Sequence, residues 1–476
     1  MTTKSTMTTS GNYILIFDIG KTTIKLHVLD EAFNSVHSLQ TPNQVDHTGP
    51  YPHFDTDKTW NWLLDAIKEA AALYPISALT ITTHGAAAAL INRRAVTDTL
   101  GLVLPVIDYE FSGFESTREN YVKMRPDFCE TYSPLLPGGL NIGQQLYWQQ
   151  QQFPEEFARA TDILMYPQYW AWRLTGDLCS EVTSLGCHTD LWNPTKGDFS
   201  SLVQTMKWQD LFPSLTPAWT RLRCVKPALR ERTGLAATCH VHAGIHDSNA
   251  SFLRYRLREP DKPFTVVSTG TWTILLAAGV ALDRLDESRD MLANVDAQGK
   301  PVACARFMGG REFGLICHAT GSTIDQEFNE DDLQNIIDSN SMALPDFGEH
   351  SGPFGGRKSE IIGNAQNFKG TALASLYSAL MIDYQLDMLH ARGDIYMEGA
   401  FIQNQYLCAV LNQLRPGQNV YLSLDKTGTV KGSACLTNWG HSSIEIEITK
   451  SATTKLKQLT EYKSRWRKRC ETVALP

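Results

Sequence analysis

Residues 13–28 set an apolar run and an alternating run on either side of a polar turn, and residues 264–278 repeat the arrangement half a chain later. In the first copy, Tyr13 to Phe17 is continuously apolar, as in a strand buried on both faces. After the turn, Ile24, Leu26 and Val28 alternate with Lys25 and His27, a period close to two that predicts a second strand. The turn reads Asp18-Ile19-Gly20-Lys21-Thr22-Thr23. Gly-Lys-Thr are the letters that close a Walker A loop, but that loop needs an earlier glycine, where Leu15 stands, and a helix afterwards. The second copy runs from Phe264 to Val267 through Ser268, Thr269, Gly270 and Thr271 to Ile274–Ala277. Such turns offer backbone N–H groups and hydroxyls to an anion, so the pair predicts two related domains sharing a nucleotide.

With 476 residues the chain exceeds one hydrophobic core, and 42% apolar content supplies two. The formal charge of −8 is spread along the chain, which argues against nucleic acid as a partner. Ten cysteines without a Cys-x-x-Cys pair predict a reducing, cytoplasmic setting without a disulfide framework. No apolar stretch approaches the ~20 residues of a membrane helix, and the polar start is expected to be a disordered tail over 1–12.

Asp18 closes a buried strand, an odd place for a carboxylate with only a structural purpose; beside a phosphate it suits Mg²⁺. Its plainer reading is a cap on its own turn. The stretch HAGIHDSNAS (242–251) supplies Asp247, either a general base or a helix N-cap ahead of Ser248-Asn249-Ala250. Cys239, His240, His242, His246 and Asp247 crowd nine residues but match no zinc spacing, so loop hydrogen bonding is the better reading. Asp108, Tyr109 and Glu110 follow an expected strand, Val103 to Ile107, and place two carboxylates where hydroxyls can be recognised. Residues 59–73 put Trp60, Leu63, Leu64, Ile67, Ala70 and Ala71 on one helical face, a packing helix. Residues 368–391 read as a long helix covering a sheet, and 352–360 as a loop. The tail 450–469 carries eight Lys/Arg against Glu461 and is expected to be a solvated terminal helix.

These stretches together resemble the FGGY family of carbohydrate kinases, from about residue 13 to about 445. That family lies in the actin, hexokinase and Hsp70 superfamily. The resemblance implies an α/β fold of two duplicated ribonuclease-H-like domains, as in the actin-like ATPases, around a central cleft. Residues 13–252 would form a sugar-binding domain and 253–476 a nucleotide-binding domain, with a hinge near 252–263. It implies ATP and Mg²⁺ as cofactors, with Asp18, Gly20, Lys21, Thr22, Thr23 and Lys25 as the first phosphate motif, Asp18 facing the metal. Thr269, Gly270 and Thr271 would be the second, and Gly310 a neighbour of the cleft. YMEGAFIQNQYLCAVLNQL (396–414) resembles the adenosine motif, giving Gly399, Ala400 and Asn404, although Phe401 replaces a usual glycine. LTITTHGAAAALIN (79–92) resembles the turn lining the sugar site, giving His84 and Gly85; Asp108, Tyr109 and Glu110 replace the usual Trp-x-Asp. YPQYWAWRLTGDLCSEVTS (166–184) resembles the Arg-Leu-Thr-Gly helix and loop, and Gly244-Ile245-His246-Asp247 the Gly-x-x-Asp whose aspartate is the general base.

The expected function is therefore ATP-dependent phosphorylation of a small-molecule sugar, a ketose or 6-deoxyketose, with a homodimer left open. A nucleotide-switch ATPase or activator, and an inactive sugar-binding regulator, are the alternatives of the same superfamily.

Overall fold

The computed structural model describes residues 12–94, 101–348, 350–364, 367–425, 427–440 and 445–472. The tail expected over 1–12 lies, except for Asn12, outside them. Chain contacts divide the molecule into two units: 1–258 with 294–300 and 427–444, and 259–293 with 301–426 and 445–476. The helix Asp247–Arg258 runs through the first part of the region expected to be a hinge, and the chain passes between the units again at 293/294, 300/301, 426/427 and 444/445.

In the first unit, Tyr13–Ile19 and Thr23–Leu29 form the expected hairpin, with Ile19 opposite Ile24. Ser35–Pro42 extends it antiparallel on the outer side. On the inner side Tyr13–Ile19 pairs parallel with Ile76–Thr83, which pairs parallel with His240–His242 and Ile245–His246. Arg221–Cys224 closes that edge. The helix Thr56–Leu73 precedes the central strand, and Asp55 caps it by accepting from Lys58 N at 2.9 Å, a contact type typically worth about 1 kcal/mol. It buries Trp60, Leu63, Leu64, Ile67 and Ala70, as their spacing predicts.

One expectation fails here. Val103–Ile107 is no strand: Pro105 interrupts it, and only isolated bridges pair Leu102 with Ile91 and Ile107 with His53. The strand after the His84 turn, Ala88–Ile91, leaves the main sheet and pairs with Asp162–Met165.

The second unit repeats the strand order. Phe264–Thr269 and Thr273–Ala278 form the second hairpin, Pro301–Phe307 pairs outside it, and Asp394–Gly399 then Val420–Ser423 lie parallel on the other side. An antiparallel three-strand meander followed by parallel strands in both units is the topological sign of duplication. The helix Gly370–Met388, buried on nearly every face, precedes the parallel strand as Thr56–Leu73 does in the first unit.

The terminal helix Leu459–Thr472 is not solvated, contrary to expectation. Leu459, Tyr462, Trp466 and Cys470 are buried in one stripe, Tyr462 Oη donates to Ser341 O at 2.6 Å and Trp466 Nε1 to Ala343 O at 2.8 Å. Its cations also have partners: Lys463 and Arg467 each lie 2.7 Å from the buried carboxylate of Asp383.

The segment 427–440 returns to the first unit. Its helix Gly428–Ala434 crosses the helix Asp247–Arg258, Ser433 Oγ lies 3.1 Å from Thr80 Oγ1, and Trp439 stacks on Trp219 with ring centroids 3.7 Å apart.

Candidate active site

Three neighbouring parallel strands of the first unit, Tyr13–Ile19, Ile76–Thr83 and Ile245–His246, end side by side. The crevice beyond the carboxyl ends of parallel strands is where open α/β sheets bind ligands. The residues that follow them are the sequence candidates: Gly20 to Thr23, His84-Gly85, and Asp247.

The hairpin turn is closed by Gly20 N donating to Thr23 O at 3.0 Å, and Asn43 Nδ2 fixes Gly20 O at 2.9 Å. Thr22 is exposed at its tip. Asp18 sits opposite Lys25 across the hairpin. Burial raises its carboxyl to about 7, the charge of Asp247 adds to this, and Lys25 opposes it. Two carboxylates that repel one another across a partly buried space are a donor set suited to a divalent cation.

Lys21 does not stand free at the phosphate turn. Its ammonium is ion-paired with Asp108, lies 3.4 Å from Glu110 Oε2, and rests 4.8 Å from the Tyr109 ring centroid and 5.1 Å from that of Phe54. Asp108 is buried and Glu110 exposed. Burial pushes the Tyr109 phenol up to about 12, helped by Glu110, Asp247 and Asp108. The structure thus joins Lys21 to the three residues expected at the sugar.

His84 lies within this aromatic wall, 4.8 Å from Phe54, 5.3 Å from Tyr166 and 5.5 Å from Tyr109 between ring centroids. Burial lowers its pKa, so the ring is neutral. Nδ1 lies 2.8 Å from Gly85 O and donates to it; Nε2 is then an acceptor, buried and without a partner among the described residues. It is free to accept a hydrogen bond.

Asp247 is the first residue of its helix, and its Oδ1 accepts from the adjacent Ser248 N at 2.6 Å; this is not the bond two or three residues on that an N-cap makes. Burial raises its carboxyl, with His84 and the Ser248 bonds acting in the opposite sense. His240, His242 and His246 lie in strands and not in the loop expected for this stretch, and His242 Nδ1 is 2.9 Å from Trp219 O.

In the second unit Thr269 organises the candidate nucleotide residues. It pairs with Gly399 across parallel strands, its hydroxyl donates to Glu398 O at 2.6 Å, and it accepts from Phe401 N at 2.9 Å. Gly399 has φ +87°, and a Cβ there would collide with Thr269 O. Ala400 follows in a short 3-10 turn, and Asn404 caps the helix Gln405–Leu414, accepting from Leu407 N at 3.0 Å. Gly270 and Thr271 are exposed at the hairpin tip, and Gly310 abuts the Gly270 carbonyl. Phe401 is buried, 5.9 Å from Phe313. Glu312 bonds Tyr377 Oη at 2.5 Å, while Arg311 is exposed.

Phe54, whose ring meets His84, lies just before a helix cap and carries no motif of its own, whereas Tyr166, Thr183 and Asn249 fall inside the stretches 166–184 and 242–251 without being named there as candidates.

Residues 13–253 match the N-terminal domain of the FGGY family of carbohydrate kinases and 261–445 match the carbohydrate kinase FGGY C-terminal domain. The chain belongs to the FGGY family of carbohydrate kinases. A carbohydrate kinase from Novosphingobium aromaticivorans of known structure is 34% identical, with a TM-score of 0.89 over 97% of this chain and 99% of its own. L-fuculokinase of Escherichia coli (strain K12) is 24% identical over 285 residues, a match spanning 57% of each chain. A ligand-bound xylulose kinase from Lactobacillus acidophilus shares the fold at 14% identity, with a TM-score of 0.75 over 97% of each chain. No helix among the described residues is long and apolar enough to cross a membrane.

Proposed function

We propose that this chain transfers the γ-phosphoryl group of ATP to a hydroxyl of a ketose or 6-deoxyketose, with Asp247 as general base. The observation that carries this reading is that Asp247 and His84 follow the ends of neighbouring parallel strands and interact electrostatically, His84 Nε2 having no partner among the described residues. The substrate hydroxyl gives its proton to Asp247 as its oxygen bonds the γ-phosphorus; the bond from that phosphorus to the bridging oxygen breaks and ADP leaves. Alignment and charge neutralisation carry most of this rate enhancement, and the base acts mainly by position.

His84 Nε2 accepts one sugar hydroxyl, and Asp108 and Glu110 accept others, with Tyr109 and Phe54 as apolar walls and Gly85 leaving the turn open. Lys21 neutralises the buried Asp108, which otherwise carries a charge out of water at considerable cost. Thr22 and Thr23 of the first hairpin and Thr271 of the second offer hydroxyls to phosphate, while Gly20 and Gly270 close the two turns with their own N–H groups. Gly310, Gly399, Ala400 and Asn404 shape the nucleotide turn, and Lys25 offsets Asp18. Asp18 would hold Mg²⁺, and the ion would supply positive charge against the phosphates. The substrate class is supported by the relatives, which carry the names L-fuculokinase and probable L-xylulose kinase.

The test is ADP release over a panel of ketoses, polyols and aldonates, each against a sugar-free control. Release that depends on one ketose supports the reading. Equal release without sugar favours a switch ATPase, and none with any compound an inactive regulator.

A further inference from the structure

His246 is the residue before the base, and nothing in the phosphoryl-transfer chemistry calls for it. Its ring is nonetheless one of the most constrained in the first unit. The side chain is buried, Nε2 lies 3.2 Å from Asp247 Oδ1, and Nδ1 lies 3.2 Å from Asn249 Nδ2.

The Asn249 amide settles which nitrogen carries hydrogen. Its Nδ2 is also 3.4 Å from Thr183 O, which can only accept, so the NH₂ end faces both partners. His246 Nδ1 therefore accepts from Asn249, and the hydrogen lies on Nε2, 3.2 Å from Asp247 Oδ1. Burial holds the ring neutral by lowering its pKa to about 4.

The backbone under this ring is pinned as well. His246 N donates to Thr183 Oγ1 at 3.1 Å, and Thr183 Oγ1 donates to the buried Glu181 Oε2 at 2.5 Å. Thr183 N adds a bond to the same oxygen at 3.0 Å. Gly85 supplies the room: a Cβ there would stand 2.8 Å from His246 Nε2.

Among the described residues, His246 Nε2, Ser248 N and Ser248 Oγ all reach Oδ1 of Asp247, and Oδ2 receives none. We propose that His246 is the positioning residue of the base: its Nε2–H, set by Asn249, fixes the Asp247 carboxylate so that Oδ2 faces the substrate hydroxyl. A carboxylate on a freely rotating side chain spends little time in reach of one proton, so orientation is what this contact supplies.

The inference rests on Asp247 as base, and the experiment separates the two. Steady-state kinetics are measured on Asp247→Ala, His246→Leu, His246→Asn and His246→Gln, with the ketose that the panel identifies. The sugar KM and the melting temperature are recorded for each. Glutamine reaches the position of Nε2 with an amide donor, whereas asparagine reaches only that of Nδ1. The expected result is a kcat loss of about 10- to 100-fold in His246→Leu and His246→Asn at sugar KM within about threefold. His246→Gln recovers most of kcat. In an Asp247→Ala background the leucine substitution adds no further loss. Equal kcat in the asparagine and glutamine variants, or wild-type kcat in His246→Leu, overturns the inference while an inactive Asp247→Ala leaves the base in place. If His246→Leu melts at assay temperature, the asparagine and glutamine pair decides alone. An active Asp247→Ala overturns the base, and the inference with it.

Discussion

Lys21 is ion-paired with Asp108, 87 residues further along the chain, and the contact draws a lysine of the first hairpin turn to the residues proposed to hold the sugar. Lys21→Ala leaves Asp108 buried without its cation, a situation that costs several kcal/mol and is relieved by protonation or rearrangement. The sugar KM should rise about tenfold or more while the ATP KM stays within about twofold. A variant with the opposite split would return Lys21 to the phosphates.

Gly432 lies where the returning helix crosses the helix that begins with Asp247, and a Cβ on it would collide with Ala250 O. On helix propensity alone, glycine to alanine gains up to about 1 kcal/mol. Gly432→Ala should instead lower stability by about 2–4 kcal/mol, since backbone cannot give way as a side-chain tip can. Thermal denaturation checks the sign, and a stabilised variant would mean the two helices are further apart than described.

Asp18 gives a pH dependence with a defined sign. Its folded carboxyl titrates near 7 against 3.8 when unfolded, so between those values the folded chain binds more protons. Stability from this group is therefore intact below about pH 4 and lost as pH rises through about 7. Asp18→Asn should be the more stable protein at pH 8, by about 1–3 kcal/mol after allowance for solvent, with no difference at pH 4. Mg²⁺-ATP should raise the melting temperature of the wild type at pH 8 more than that of the variant. Denaturant melts at the two pH values, with and without Mg²⁺-ATP, read both effects.

Thr269 joins Glu398 O and Phe401 N through one hydroxyl. Thr269→Val keeps the shape and removes both bonds, leaving a buried N–H unpaired at about 1–3 kcal/mol. The expected outcome is an ATP KM raised about tenfold with the sugar KM unchanged. Initial rates with each substrate varied in turn would show otherwise if the Gly399 turn does not serve the nucleotide.

Much of this architecture is legible in the sequence because it rests on short-range periodicity. Ile24, Leu26 and Val28 alternate and form a strand; Trp60, Leu63, Leu64 and Ile67 share a helical face and are buried on it. Tyr462, Trp466 and Cys470 recur every fourth residue and were equally readable, but the surrounding lysines and arginines drew the reading to solvent. Those charges find Asp383 and Asp387, about eighty residues earlier. Val103–Ile107 failed for the opposite reason, since apolarity marks burial and not ladder pairing.

The candidate site divides along the same line. Asp18, His84 and Asp247 announce themselves by chemistry at the ends of apolar strands. Phe54 reaches His84 from thirty residues upstream, and Thr183 reaches His246 from 63 residues upstream, through contacts no local pattern encodes. The return of residues 427–440 to the first unit is a packing outcome of small residues, Gly428, Gly432 and Ser433, whose composition alone resembles a loop.

The most direct test of the central claim is single-turnover phosphoryl transfer by Asp247→Asn, at a saturating concentration of the ketose that the panel identifies and of Mg²⁺-ATP. Asparagine keeps the size of the side chain and the sugar's surroundings but takes no proton. The account predicts sugar binding within about threefold of wild type by calorimetry and a transfer rate lower by about 100-fold or more. Transfer at the wild-type rate would contradict it.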